Sequence, residues 1–104
     1  MIAELVQFKC PAGMSPKEIL EDAKTGIKRW TDDPQLIRKH YIKGQDDDSL
    51  GGFYIWTSKE AAQNGHNQEW KEGVKKKTGA YPEIRYFDFF MLVDNEKGTV
   101  TENP

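Results

Sequence analysis

The segment Glu83–Val93 (EIRYFDFFMLV) constrains the fold most. Aromatic and β-branched residues favour a pleated conformation, so the segment reads as one long strand. Successive side chains of a strand point to opposite faces. Phe87, Phe89, Met91 and Val93 then share one side, and Tyr86, Phe90 and Leu92 share the other. Covering only one side would leave in water a larger apolar patch than monomeric proteins normally expose. Burial is worth about 1.5–3 kcal/mol for each such side chain. The expectation is helices on one face and a second copy of the sheet on the other, a homodimer packed sheet against sheet.

The remaining segments supply the partners. Ile2–Lys9 reads as a strand with apolar residues on both faces, ended at Pro11, which cannot donate to a ladder. Met14–Trp30 reads as one helix. Ser15 is its N-cap, Pro16 its first residue and Glu18 the closing member of a capping box, while Met14 can staple onto Ile19. Ile19, Leu20, Ala23, Ile27 and Trp30 form one stripe. Gln35–Lys43 and Phe53–Thr57 read as strands joined in a hairpin by the polar loop Gly44–Gly52. In the first of these, Leu36, Arg38, His40 and Ile42 share a face, and Ile37, Lys39, Tyr41 and Lys43 share the other. A register change of one residue exchanges His40 for Tyr41, so the pattern leaves open which set meets the helices. Thr57 is positioned to cap the next helix, with Glu60 at the box position. Asn64-Gly65 interrupts it, Asn67 caps a second piece, and Gly79 stops that piece after Lys75–Lys77. His66 falls at the bend between the two.

The resulting order, β-α-β-β-α-β, is α+β: a ferredoxin-like antiparallel sheet with its helices on one face. Residues 1–95 form the expected domain, and 96–104 a polar tail. The 104 residues suit one domain. Fifteen Lys+Arg against 17 Asp+Glu leave a charge of −2, which lacks the basic excess of a nucleic-acid-binding protein. Cys10 is the sole cysteine, so no internal disulfide forms, and it reads as a small buried hydrophobe. No segment approaches the roughly 20 apolar residues of a membrane helix. The start, Met1-Ile2-Ala3-Glu4, lacks the basic and apolar regions of a secretion signal. The expected location is cytoplasmic.

Chemistry concentrates in aromatic and histidine side chains. Tyr54 and Trp56 point the same way from one strand, and Trp70, Tyr81 and Tyr86 add further rings. Aromatics with polar tips suit a pocket for a flat hydroxylated ring, and they equally suit a packed core. His40 and His66 are candidate proton acceptors, because imidazole titrates near neutrality. The bland alternatives are a solvated strand histidine for His40 and a helix-break role for His66. The two histidines lack the i, i+4 spacing of a helical metal site. Asp46–Asp48 lacks the spacing of a calcium loop, and no glycine-rich phosphate loop supports flavin or nicotinamide. No cofactor is expected.

Leu36–Tyr41, Gly51-Gly52-Phe53-Tyr54-Ile55-Trp56, Ser58–Ala62 and Glu69-Trp70, with Phe87-Asp88 and Val93-Asp94-Asn95, resemble the YdhR-like mono-oxygenases. These belong to the dimeric α+β barrel superfamily, beside the antibiotic-biosynthesis mono-oxygenases. The resemblance covers about residues 2 to 95. It implies a homodimer and oxidation of electron-rich aromatic polyketides by dioxygen without metal, flavin or haem. The substrate's own carbanion reduces oxygen, and the protein supplies a shaped pocket, a proton acceptor and hydrogen bonds to the phenolate. Trp56 matches the strand tryptophan that lines that pocket. Where haem-degrading relatives carry Asn and His, this chain has Gln7 and Val74, and the asparagine of quinone-forming relatives is replaced by Gly52.

The expected activity is therefore cofactor-independent mono-oxygenation of a small aromatic or polyketide-like phenol. His40 or His66 would accept the proton, and Tyr54, Trp56, Trp70 and Tyr86 would bind substrate. The alternatives are a lactone isomerase on the same scaffold and a module that binds a small hydrophobic ligand without turnover.

Overall fold

The computed structural model describes residues 1–104. In chain order the elements are β1 (Ile2–Lys9), α1 (Pro16–Thr25), α2 (Ile27–Thr31), β2 (Leu36–Lys43), β3 (Ser49–Trp56), α3 (Lys59–Gly65), α4 (Gln68–Thr78), β4 (Glu83–Asp88), β5 (Met91–Asp94) and β6 (Thr99–Glu102). Strands β1 to β4 form one antiparallel sheet in the order β2-β3-β1-β4, the ferredoxin-like arrangement. A separate hairpin, β5–β6, follows it.

Cross-strand partners share a face, so the register sorts the side chains. Glu4 lies opposite both Tyr54 and Tyr86, and Tyr54 lies opposite Lys39. Ile2 and Leu36 flank Trp56. These residues look toward the helices. The core is the cluster Ile2, Val6, Trp30, Tyr54, Trp56, Ala61 and Ala62. On the opposite face Leu5, Phe53 and Ile55 are half-buried and Phe87 is exposed.

The capping box at Ser15 forms as expected: Ser15 Oγ accepts from the Glu18 amide at 3.2 Å, and Glu18 Oε1 accepts from the Ser15 amide at 3.1 Å. The single helix expected over Met14–Trp30 is two helices. Gly26 interrupts it; α2 buries Trp30 in the core, while α1 buries no residue. The stripe on α1 faces a cleft instead of a packed surface. Ser58, rather than Thr57, caps α3, its Oγ accepting from the Ala61 amide at 3.1 Å. The break at Asn64-Gly65 and the cap at Asn67 are as the sequence suggests; Asn67 Oδ1 accepts from the Trp70 amide at 2.9 Å.

The long last strand expected over Glu83–Val93 stops at Asp88. The chain turns at Phe89-Phe90, and Met91–Asp94 pairs with Thr99–Glu102 inside the segment read as a polar tail. The apolar residues past Asp88 thus stand on an arm: Phe90 is 79% exposed, Val93 58% and Val100 66%. The alternation of that sequence suits a hairpin as well as a long strand, which is why periodicity alone did not separate them. No helix is long and apolar enough to cross a membrane.

Candidate active site

The site begins with a carboxylate where none is comfortable. Glu4, in the middle of β1, is fully buried. Burying a charge is costly unless it is paired and hydrogen-bonded. Two partners converge on its Oε1: the indole Nε1–H of Trp56 donates at 2.9 Å, and His66 Nδ1 lies at 2.8 Å. An acceptor-only oxygen at that distance sets Nδ1 as the protonated nitrogen of the neutral ring. Burial holds His66 below the usual imidazole range, against the opposing pull of Glu4. His66 Nε2 and Glu4 Oε2 have no hydrogen-bond partner.

Local chain geometry delivers His66 to this point. It is the C-cap of α3, and Arg29 of α2 ties that helix end down by donating to the Gly65 carbonyl at 2.6 Å. Gly65 rests against the outer edge of the Trp56 ring, and a Cβ there would collide with it. Around the imidazole, Trp70, Tyr54 and Trp30 have ring centroids at 4.3, 4.5 and 5.1 Å.

In front of this buried layer lies a cleft of about 720 Å³ between α1 and the sheet. Ile19, Ala23 and Ile27 form one wall, Trp30 and Tyr54 the back, and Trp70 and Val74 of α4 a side. Lys39 and Tyr41 enter from β2. The Lys39 Nζ stands 4.2 Å from the ring centroid of Trp30, 3.9 Å from Tyr41 and 4.7 Å from Tyr54. No carboxylate pairs with it. Burial, with the Arg29 charge adding to it, lowers its pKa to about 7. Burial pushes the Tyr54 and Tyr41 phenols up, so both stay protonated.

Lys39 reaches the cleft because β2 carries an irregularity between Leu36 and Arg38. Leu36 faces the helices opposite Trp56, and past the irregularity Lys39 and Tyr41 face them too. The simple alternation that groups Leu36 with Arg38 and His40 does not hold. His40 lies opposite Phe53, exposed on the far side of the sheet and away from the cleft. His66 sits close to Tyr54 and Trp70 but behind the cleft wall. Trp56 is wholly buried and reaches Glu4 rather than the cleft. Tyr86 faces the same side, half-buried, its pKa raised to about 12 by burial and then by the Glu4 carboxylate. Sequence patterns mark neither Glu4 nor Lys39 as a site residue, and they mark Trp30 only as part of a helix stripe. No three metal-ligating side chains gather anywhere in the chain.

No protein-family model and no curated protein matches the chain. Solved structures do. A monooxygenase from the ActVA-Orf6 gene of Streptomyces coelicolor, solved with nanaomycin D, aligns at a TM-score of 0.63 and 16% identity over 83% of this chain and 84% of its own. SnoaB, a cofactor-independent oxygenase from Streptomyces nogalater, aligns at 0.62 and 14% identity over 88% and 95%. NE2512, a Nitrosomonas europaea protein of unknown function, aligns at 0.69 and 10% identity over 88% and 91%. These likenesses establish the fold alone, the ferredoxin-like α+β arrangement described above. The YdhR-like branch is a finer assignment than they carry.

Proposed function

We propose that this chain is a cofactor-independent mono-oxygenase of the YdhR-like kind, acting as a homodimer on a small aromatic phenol held between α1 and the sheet. The observation that carries the reading is the cleft itself. Its walls are apolar and aromatic, with few polar groups at the back, the composition typical of sites for flat organic ligands. Its 720 Å³ suits a fused two- or three-ring molecule. The neighbours that share the fold include a cofactor-independent oxygenase and a monooxygenase that holds nanaomycin D. Fold alone does not fix chemistry, and the site's composition is what favours this one.

For an anthrone-type substrate the reaction balances without another reductant. The ring methylene loses two hydrogens, one atom of dioxygen becomes the new carbonyl oxygen, and the other leaves as water. The protein's part is to orient the ring, stabilise its ionised form and keep bulk water away. The apolar open face of the sheet and the exposed β5–β6 arm favour the dimer, since a second copy would cover both.

Oxygen uptake by chelator-treated protein with anthrone and hydroxynaphthalenes tests the reading. Ala23→Trp fills the cleft from α1 without touching the buried Glu4 layer, and it should abolish uptake while the fold persists. Full uptake by this variant would remove the cleft from consideration. Trp56→Ala is a poor probe, because it removes a wholly buried ring from the core and strips Glu4 of a donor.

A further inference from the structure

We infer that Lys39 is the group that takes the substrate's phenolic proton and then holds the phenolate as its counter-ion. The assignment rests on the cleft being the substrate site. Three observations carry it. The amine lies inside the cleft, near its aromatic back wall. Three aromatic rings surround it, and ring faces attract a cation while supplying no proton acceptor. No carboxylate neutralises it, in contrast to the other lysines on the cleft wall: Lys24 pairs with Glu21, and Lys77 with Asp22. A desolvated amine without a counter-ion favours the arrival of an anion, or of a neutral acid that becomes one.

The competing groups are badly placed. His40 is on the other face of the sheet. His66 offers Nε2 as a lone pair, but the ring lies behind Tyr54 and its Nδ1 is committed to Glu4. Tyr41 from the same strand and Tyr54 from β3 keep their protons and serve as neutral donors. Arg29 on α2 carries a positive charge toward the amine and favours its unprotonated form, while Glu4 on β1 is spent on Trp56 and His66.

The step is a proton transfer and nothing more. The substrate O–H bond breaks, the Lys39 nitrogen lone pair forms an N–H bond, and two neutral groups become an ammonium and a phenolate. The phenolate conjugated to the reacting carbon is then the electron-rich form that dioxygen oxidises. Neutral aromatic hydrocarbons of the same shape lack the proton and the charge. The site should accordingly prefer phenols over their methyl ethers by about tenfold or more.

2-Naphthol is the probe, because its ionised and neutral forms differ in absorption. At pH 8 it is neutral in solution, and Lys39 is largely unprotonated. Wild type should bind it with the naphtholate spectrum and no net proton release, since the proton stays on Lys39. Lys39→Arg, whose guanidinium is already protonated, should also show naphtholate but release about one proton per molecule bound, read by calorimetry in buffers of different ionisation enthalpy. Lys39→Met keeps the stem on the three rings and should bind the neutral naphthol, about tenfold more weakly. Circular dichroism and the melting temperature report that each variant is folded. Neutral naphthol in wild type, or naphtholate undiminished in Lys39→Met, overturns the assignment of Lys39 while leaving the cleft as a binding site. No binding by wild type at millimolar probe, with Ala23→Trp indistinguishable from it, overturns the cleft reading and this inference together.

Discussion

Glu4 sets up the sharpest test of how this site is held. In Glu4→Ala the indole Nε1–H of Trp56 and the Nδ1–H of His66 lose their shared acceptor, while both rings remain wholly buried. An orphaned buried donor costs about 1–3 kcal/mol, so two of them cost about 2–6 kcal/mol. Removing a buried carboxylate also relieves its own desolvation, which offsets part of that loss. The expected net cost is about 3 kcal/mol, a large share of the roughly 5–15 kcal/mol that keeps a domain of this size folded. Glu4→Gln behaves differently. Its amide oxygen can stand where Oε1 stands, and its amide nitrogen takes the place of Oε2, which has no partner to lose. That variant should cost about 1 kcal/mol. Urea unfolding followed by tryptophan fluorescence reads both directly, because Trp56 and Trp70 sit beside the perturbation. Wild-type slopes in both variants would license comparison of their midpoints. If Glu4→Ala comes within 1 kcal/mol of wild type, or Glu4→Gln proves equally damaging, then Oε1 is not the common acceptor and the account of His66 fails.

Other consequences can be checked in the same preparations. Gly65→Ala drives a methyl against the Trp56 ring and should destabilise by about 1–3 kcal/mol, with loss of the His66 environment seen as a shifted imidazole proton resonance. The Lys39 pKa of about 7 lies below its unfolded value of about 10.4, so between these the unfolded chain binds more protons and stability rises with pH. After discounting for the open cleft, wild type should gain about 1 kcal/mol over Lys39→Met between pH 7 and about 9, and a flat difference would contradict the burial of the amine. Light scattering at micromolar concentration should give twice the 12.0 kDa chain mass, and Phe90→Glu with Leu92→Glu should return the monomer. A wild-type monomer would leave the β5–β6 arm without the proposed cover.

Local chemistry made much of the fold readable in sequence. The capping box at Ser15 and Glu18, the cap at Asn67 and the break before His66 are signals carried within four or five residues, and each appears where expected. The misreadings come where two backbone paths suit the same pattern. Gly26 is tolerated inside a helix at a cost of only about 1 kcal/mol, so the stripe on either side of it reads as continuous even though the helix is interrupted there. Phe89-Phe90 carries no turn residue, so no local signal marks where the chain leaves the sheet. Glu4 gave no signal at all, because an acidic residue in a strand normally marks the solvent side. Only the register that sets it beside Tyr54 and Tyr86 reveals that it faces the helices.

The decisive ambiguity was in β2, and it shows how little sequence separates two chemistries. His40 and Lys39 are neighbours on a strand, so one must face the helices and the other must not. Strict alternation from Leu36, which packs beside Trp56, would turn His40 inward and present an imidazole to the cleft. The irregularity between Leu36 and Arg38 reverses this, and an amine among three rings takes the place that an imidazole would have held. An extra residue of this kind re-aims every side chain beyond it, at the cost of a locally disrupted ladder. Ile37 is that extra residue, so deleting it should restore a regular ladder with Lys39 still opposite Tyr54 and His40 still opposite Phe53. If 2-naphthol binding in the folded deletion variant no longer reports Lys39 as the proton acceptor, Ile37 is not the extra residue and the account of how Lys39 is aimed fails.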